Sequence, residues 1–187
     1  MTNPEEIKNI ISDILAGERE KFSLIVNLYK ESVFRIAIGY MHTKDDAEDI
    51  VQEVFIKTYQ SLSGFKGKSE FSTWLYRITV NTCLNAIEKK QRYSFFQKAE
   101  DTVTRIFNIR SDDKNPEEKL LSREKEKAVQ DAIDSLPKQQ RTAFTLKRYE
   151  DLSQQDISKI MNLSEGAVEQ LLQRAKVNLT NKLKKIK

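Results

Sequence analysis

Five carboxylates, Asp45, Asp46, Glu48, Asp49 and Glu53, crowd into the stretch from Asp45 to Phe55, which holds no basic residue. Such a cluster suits one of two chemistries: gathering metal ions for hydrolysis, or presenting negative charge to a basic partner. The first requires more than this sequence supplies. One histidine, His42, and one cysteine, Cys83, rule out the usual nitrogen and sulfur metal clusters and any intramolecular disulfide. The acids share one stretch of chain and no second cluster matches them, so a DNA-processing enzyme is a poor fit. No metal, cofactor or small-molecule substrate is expected. Binding is the chemistry that remains.

The opposite charge gathers at the other end of the chain. From Lys138 to Lys187 there are eleven Lys and Arg against five Asp and Glu, in a chain of net charge +4 and pI near 9.0. A basic surface attracts phosphate, so this end suits nucleic acid while the acidic block suits protein.

Within the basic end, "QQDISKIMNLSEGAVEQLLQ" from Gln154 fits a helix-turn-helix, because two steeply crossing helices need small or apolar residues at fixed contact points. Ile157, Met161, Leu163, Val168 and Leu171 fall on core positions, and Ser158 on the close-contact position. Asn162 takes the turn, where its readiness to adopt a left-handed conformation is useful. Ser164 then caps the second helix. Gly166, Glu169, Gln170, Gln173 and Arg174 face away from its buried side and can reach base edges in a major groove, while Lys176, Lys182, Lys184 and Lys185 suit phosphates.

Two further faces precede it. Asp45, Asp49, Gln52, Glu53 and Ile56 recur at three- and four-residue steps and share one helix face, suited either to solvent or to a basic, partly apolar helix of another protein. From Phe71, apolar residues (Trp74, Leu75, Ile78, Val80, Leu84, Ile87) spread around most of a helix, yet Thr73, Arg77, Asn81, Asn85, Glu88 and Arg92 form one polar stripe. The neighbouring "FKGKSEF" offers lysines, small polar groups and two aromatic rings, a set suited to single-stranded nucleic acid.

The elements that must position these faces are all helical. In 187 residues there are five glycines and three prolines, with apolar positions at helical spacing nearly throughout. The fold class is all-α. Pro4 and Gly17 bracket a short helix, and others are predicted over about 18–41, 44–61 and 71–92. After Tyr93 the pattern degrades as far as Pro116, apart from a short helix expected around Ala99 to Phe107. Two small domains are therefore expected, at about 1–93 and 118–187, joined by a flexible linker over 94–117. In the second, one helix ends at the Pro137 break, another runs to about Glu150, and Ser153 with Asp156 marks the start of a third at Gln154. No segment reaches the roughly 20 apolar residues needed to cross a bilayer, and the acidic N-terminus lacks a signal-peptide pattern, so a cytoplasmic location is expected.

Taken together, "DDAEDIVQEVFIKTY" from Asp45, "FSTWLYRITVNTCLNAIEKKQR" from Phe71 and "LPKQQRTAFTLKRYEDLSQQDISKIMNLSEGAVEQLLQRAKVNL" from Leu136 resemble, in order and separation, the extracytoplasmic-function (ECF) group of the sigma-70 family. The resemblance implies a sigma-2 and a sigma-4 domain, no enzymatic activity, and promoter-specific initiation by bacterial RNA polymerase. It assigns Asp49, Gln52, Glu53 and Phe55 to the β′ clamp helices of the core enzyme. Lys68, Ser69, Thr73, Trp74, Arg77, Asn81 and Asn85 fall to the minus-ten element and its melted non-template strand. Ser164, Glu165, Gly166, Glu169, Gln170, Gln173, Arg174 and Lys176 fall to the minus-35 duplex. The β flap and an anti-sigma factor are further implied partners. The sequence departs from the commonest family pattern at Glu169 and Leu171, where many members carry a basic residue and an arginine, at Gln173, and at Asn85, where an acid is frequent. The alternative reading is a stand-alone helix-turn-helix regulator, which needs neither the acidic stripe nor the "FSTWLYR" segment.

Overall fold

The first helix starts as its sequence dictates. The Asn3 side chain accepts a hydrogen bond from the Glu5 amide at 3.1 Å, and Pro4 occupies the first helical position, where a missing N–H costs nothing. The computed structural model describes the backbone of residues 3–100 and 116–184 and the side chains of residues 3–93 and 124–184. Its order is α1 (Pro4–Leu15), α2 (Phe22–Met41), α3 (Lys44–Ser61), α4 (Phe71–Glu100), α5 (Pro116–Asp134), α6 (Lys138–Glu150), α7 (Gln154–Met161) and α8 (Glu165–Leu183). No strand occurs among the described residues.

Most boundaries follow local chemistry. Thr43 caps α3 by accepting from the Asp46 amide at 3.3 Å, and His42 turns the chain before it with φ of 64°. A continuous helix from residue 18 is expected but not found. Arg19–Lys21 form a tighter turn, held by Lys21 Nζ reaching Asp13 at 2.6 Å and Glu18 at 2.9 Å, before α2 begins at Phe22. Helix α4 continues past Arg92 to Glu100, since no proline or glycine interrupts that run. The remainder of the short helix expected around Ala99 to Phe107 lies outside the described residues.

In the first half, α2 and α3 run antiparallel, with the Phe22 ring 5.0 Å from Tyr59 and 6.4 Å from Phe55. Ile25, Val33, Ile36, Ala47, Val54 and Leu75 make a dry centre against α4. The buried hydroxyls of Thr58 and Thr79 donate to carbonyls one turn back, Val54 at 2.7 Å and Leu75 at 3.0 Å, so they add no unmet polar group. In the second half, Ala143, Leu146, Ile157, Val168 and Ala175 are fully buried between α6, α7 and α8.

The sequence separates two domains, but the structure packs them together. Buried residues of both halves belong to one continuous cluster, from Ile7 to Val168. Helix α6 lies antiparallel to α4: Lys138 meets Glu88 at 3.0 Å near one end, and Glu150 meets the Tyr76 hydroxyl at 3.2 Å at the other.

Candidate nucleic-acid interface

Helix α8 stands on the turn the sequence predicts. Ser153 caps α7, accepting from the Asp156 amide at 3.0 Å and donating its hydroxyl to the Asp156 carboxylate at 2.6 Å. Asn162 ends α7 in the left-handed region at φ 54°, and Ser164 caps α8 by accepting from the Ala167 amide at 3.2 Å. Val168 and Ala175 anchor one side at 0% exposure. Ser164, Glu165, Gly166, Glu169, Gln170, Gln173, Arg174 and Lys176 are all exposed. Gly166 has open space around its Cα, so backbone can approach a ligand closely there. Among these residues, a Gln173 amide bond to the Glu169 carboxylate at 3.3 Å pre-orders the middle of the face. Val177, 57% exposed, shares this face and lies outside the set expected from the sequence. Its register with Gln170, Gln173 and Arg174 was the signal, and its apolar side chain suits a thymine methyl.

The α4 stripe is placed differently. Asn81 and Asn85 are exposed, as are Glu88 and Arg92, but Thr73 is buried at 4% and Arg77 is partly covered. The Arg77 guanidinium is already engaged: Nε donates to the Ile160 carbonyl at 3.1 Å and Nη2 to the Lys159 carbonyl. These carbonyls sit at the C-terminal end of α7, where helix geometry leaves them without amide partners and slightly negative. Glu88 is bound to Lys138. The expected stripe is thus continuous, but one end passes under the second half of the chain.

The aromatic rings of "FKGKSEF" are not free to stack on bases. Phe71 is 4% exposed, and Phe65, half-buried, packs on Phe71 and Trp74 with ring centres 5.4 and 5.3 Å apart. Tyr29 closes the group, 5.5 Å from Phe71. Trp74 therefore braces the start of α4, with Lys68 exposed and Ser69 partly covered beside it.

On α3, Asp49, Gln52 and Glu53 are exposed on one face, as the spacing requires. Phe55 differs from its sequence assignment. It is 7% exposed and packs beneath α2 near Phe22, because its position falls on the buried side of the helix. Ile56, 57% exposed, takes the apolar place on the open face. Between α2 and α3 an open cleft of about 600 Å³ is lined by Phe34, Val51, Gln52, Glu48, Lys30 and Arg35. Its apolar floor and charged rim fit a helix with mixed chemistry.

Burial sets the remaining titrations. It pushes the Tyr76 hydroxyl up to about 12, with the Glu150 carboxylate adding to the effect, and the Cys83 thiol up to about 12. Cys83 stays protonated and enclosed, so it offers no reactive thiolate. Burial would raise the Asp134 carboxyl, but a hydrogen bond with His42 at 2.8 Å and the nearby Arg141 charge hold it below its ordinary value. Among the described residues no three His, Cys, Asp or Glu converge on a metal position, and no helix is long and apolar enough to cross a membrane.

Comparison with known proteins places both halves. The family model for Sigma-70 region 2 matches residues 25–93, and that for Sigma-70, region 4 matches residues 126–179. The chain is 36% identical over 181 residues to the ECF RNA polymerase sigma-E factor of Haemophilus influenzae, covering 93% of each protein. The solved structure of CnrH in complex with the cytosolic domain of CnrY aligns with a TM-score of 0.66 at 19% identity, over 97% of this chain and 98% of that one. The sigma factor RpoE of Bartonella quintana, solved with the anti-sigma factor NepR, aligns at 0.61 and 22% identity, over 88% of this chain and 98% of that one. These two structures share the fold.

Proposed function

The chain belongs to the sigma-70 family, among its ECF RNA polymerase sigma factors, and from that premise we propose how its surfaces divide the work of promoter-specific transcription initiation. Residues 1–93 act as the sigma-2 domain, 118–187 as the sigma-4 domain, and 94–117 as the linker. The protein acts in the cytoplasm and makes or breaks no bond; nucleotide addition belongs to the core polymerase.

The observation that carries this division is the open face of α8, where a capped, well-anchored helix leaves eight neighbouring polar or small residues exposed from Ser164 to Lys176. This face reads the minus-35 duplex: Gln170, Gln173 and Arg174 supply paired donors and acceptors for base edges, and Lys176 meets phosphate. Asp49, Gln52 and Glu53 dock the β′ clamp helices, with Ile56 and the α2–α3 cleft taking the apolar side of the contact. Phe55 shapes that face from beneath. The second domain also meets the β flap. On α4, Asn81 and Asn85, with Arg77 once freed and Lys68 and Ser69 beside them, hold the unpaired non-template strand of the minus-ten element. Thr73 and Trp74 position the start of that stripe. That a sigma factor of the same fold, RpoE of Bartonella quintana, was solved with the anti-sigma factor NepR supports control by an anti-sigma factor.

Reconstituted transcription tests the reading. Added to bacterial core polymerase, the protein should direct initiation at mapped start sites, with minus-35 and minus-ten segments protected from cleavage. Tight duplex binding without any association with core polymerase would favour the stand-alone regulator and sink this proposal.

A further inference from the structure

We propose that Glu169 and Gln173 act on α8 as one reading unit, and that the minus-35 element this chain prefers carries a cytosine facing Glu169, a short step from an adenine facing Gln173. This rests on α8 being the reader of the minus-35 duplex and adds the identity of two of the bases it reads.

Glu169 is an acid on the exposed face of a basic segment, where Lys and Arg outnumber Asp and Glu eleven to five from Lys138 to Lys187. The helix itself gives little reason for it. An acid in the first turn is favoured by the backbone dipole, which accounts for Glu165, but Glu169 lies a turn further on, where that benefit has faded. Phosphates repel it. Its carboxylate is held by an uncharged group, Gln173 Nε2 donating to Oε1 at 3.3 Å, and among the described residues no lysine or arginine pairs with it.

A carboxylate only accepts hydrogen bonds, and of the four bases cytosine alone offers a major-groove edge with a donor and no acceptor. Guanine and thymine present acceptors that repel the charge, and adenine sets an acceptor beside its donor. Glu169 thus selects cytosine as much by excluding the others as by its own bond. The same contact orients its partner. Because the carboxylate takes the NH2 end of the Gln173 amide, the carbonyl oxygen and the second N–H are left for a base, and that pair of groups matches adenine N6 and N7. One turn of α8 separates the two residues, about 6 Å along the axis against about 3.4 Å per base pair, so the two bases stand about one to two pairs apart.

Gly166 brings the unit within reach. It lies on the same side of α8 as Glu169 and Gln173, within a helix, where glycine is less favourable than alanine. A Cβ at this position would meet nothing within 4 Å, so no neighbour in the protein requires its absence. What bare backbone permits there is a close approach to the groove, carrying Glu169 past the phosphates to the base edges.

Initiation by the holoenzyme, the full chain with bacterial core polymerase, on promoters with a randomised minus-35 element tests the unit, each productive template being identified by a barcode in its transcript. The unaltered chain should favour cytosine at one position by about 5- to 150-fold, with adenine favoured nearby. Glu169→Gln keeps the shape and still accepts from Gln173, but it can also donate, so that position alone should turn from cytosine to adenine. Gln173→Ala should relax the adenine position. A carboxylate that only faced solvent would, on removal, strengthen every sequence alike. An unchanged cytosine preference in Glu169→Gln therefore overturns the proposal, as does an element for the unaltered chain that selects no cytosine. Initiation indifferent to every base of the randomised element overturns the reading of α8 itself.

Discussion

Helices α8 and α4 both carry a polar stripe on an otherwise apolar helix, yet the chain treats them differently. On α8 every candidate reader from Ser164 to Lys176 is exposed, whereas on α4 Thr73 is buried and Arg77 is bonded to the backbone of α7. A stripe is a pattern within one helix, and its availability is a property of what packs against that helix. The first is written locally; the second is settled by residues more than a domain away.

The largest effect should come from removing the support under the open stripe. Leu146 is fully buried between α6 and its neighbours, so Leu146→Ala should cost about 2–5 kcal/mol in denaturant unfolding. Minus-35 binding should fall with it, because α8 loses its base; a loss under about 1 kcal/mol would mean that α8 holds its place without α6.

Next comes the stripe itself. Arg174→Ala should weaken minus-35 duplex binding by about 1–3 kcal/mol at fixed salt, with single-strand binding by the holoenzyme unchanged. If both fall together, the two surfaces do not act separately.

Ser164→Ala removes the cap of α8 and should lower stability by about 1 kcal/mol, read as a lower melting temperature. Ser164→Asp, which can cap as well, should restore it; failure to do so would point to the hydroxyl contacting DNA instead.

The smallest effect concerns the contact between the two halves of the chain at Asp134. The Asp134 carboxyl is held below its ordinary value by His42 and Arg141, so the folded chain favours the ionised group. Its contribution is fully present above the ordinary aspartate range, near pH 4, and is lost as pH falls through the depressed value in the folded chain. Hydrogen exchange around Asp134 should quicken on acidification below that range, and Asp134→Asn should flatten the dependence.

The sequence reading succeeded wherever the cause of a feature lies within a few residues. Helix α3 begins and ends where expected because Thr43 caps it and the apolar period stops at Ser61. Asn162 adopts the left-handed turn because the helix-turn-helix offsets demand one and asparagine tolerates it. Phe55, which the resemblance assigns to the clamp helices, falls on the buried side of α3, and Phe65 and Phe71, suited by type to stacking on bases, are already satisfied by each other's rings and Trp74. The contacts between the two halves are out of reach for a different reason. Arg77 finds its partners on the main-chain carbonyls of Lys159 and Ile160, and any residue type at those positions carries such a carbonyl. Gly39 has no local role, and its reason stands on α6 at Thr145 and Tyr149.

Gly39 also has a genetic consequence. Every glycine codon becomes an alanine codon by changing its second base alone, so one point mutation places a methyl group where Thr145 Cγ2 and the Tyr149 ring must shift to receive it. The close fit of α2 against α6 thus depends on the absence of a single methyl group.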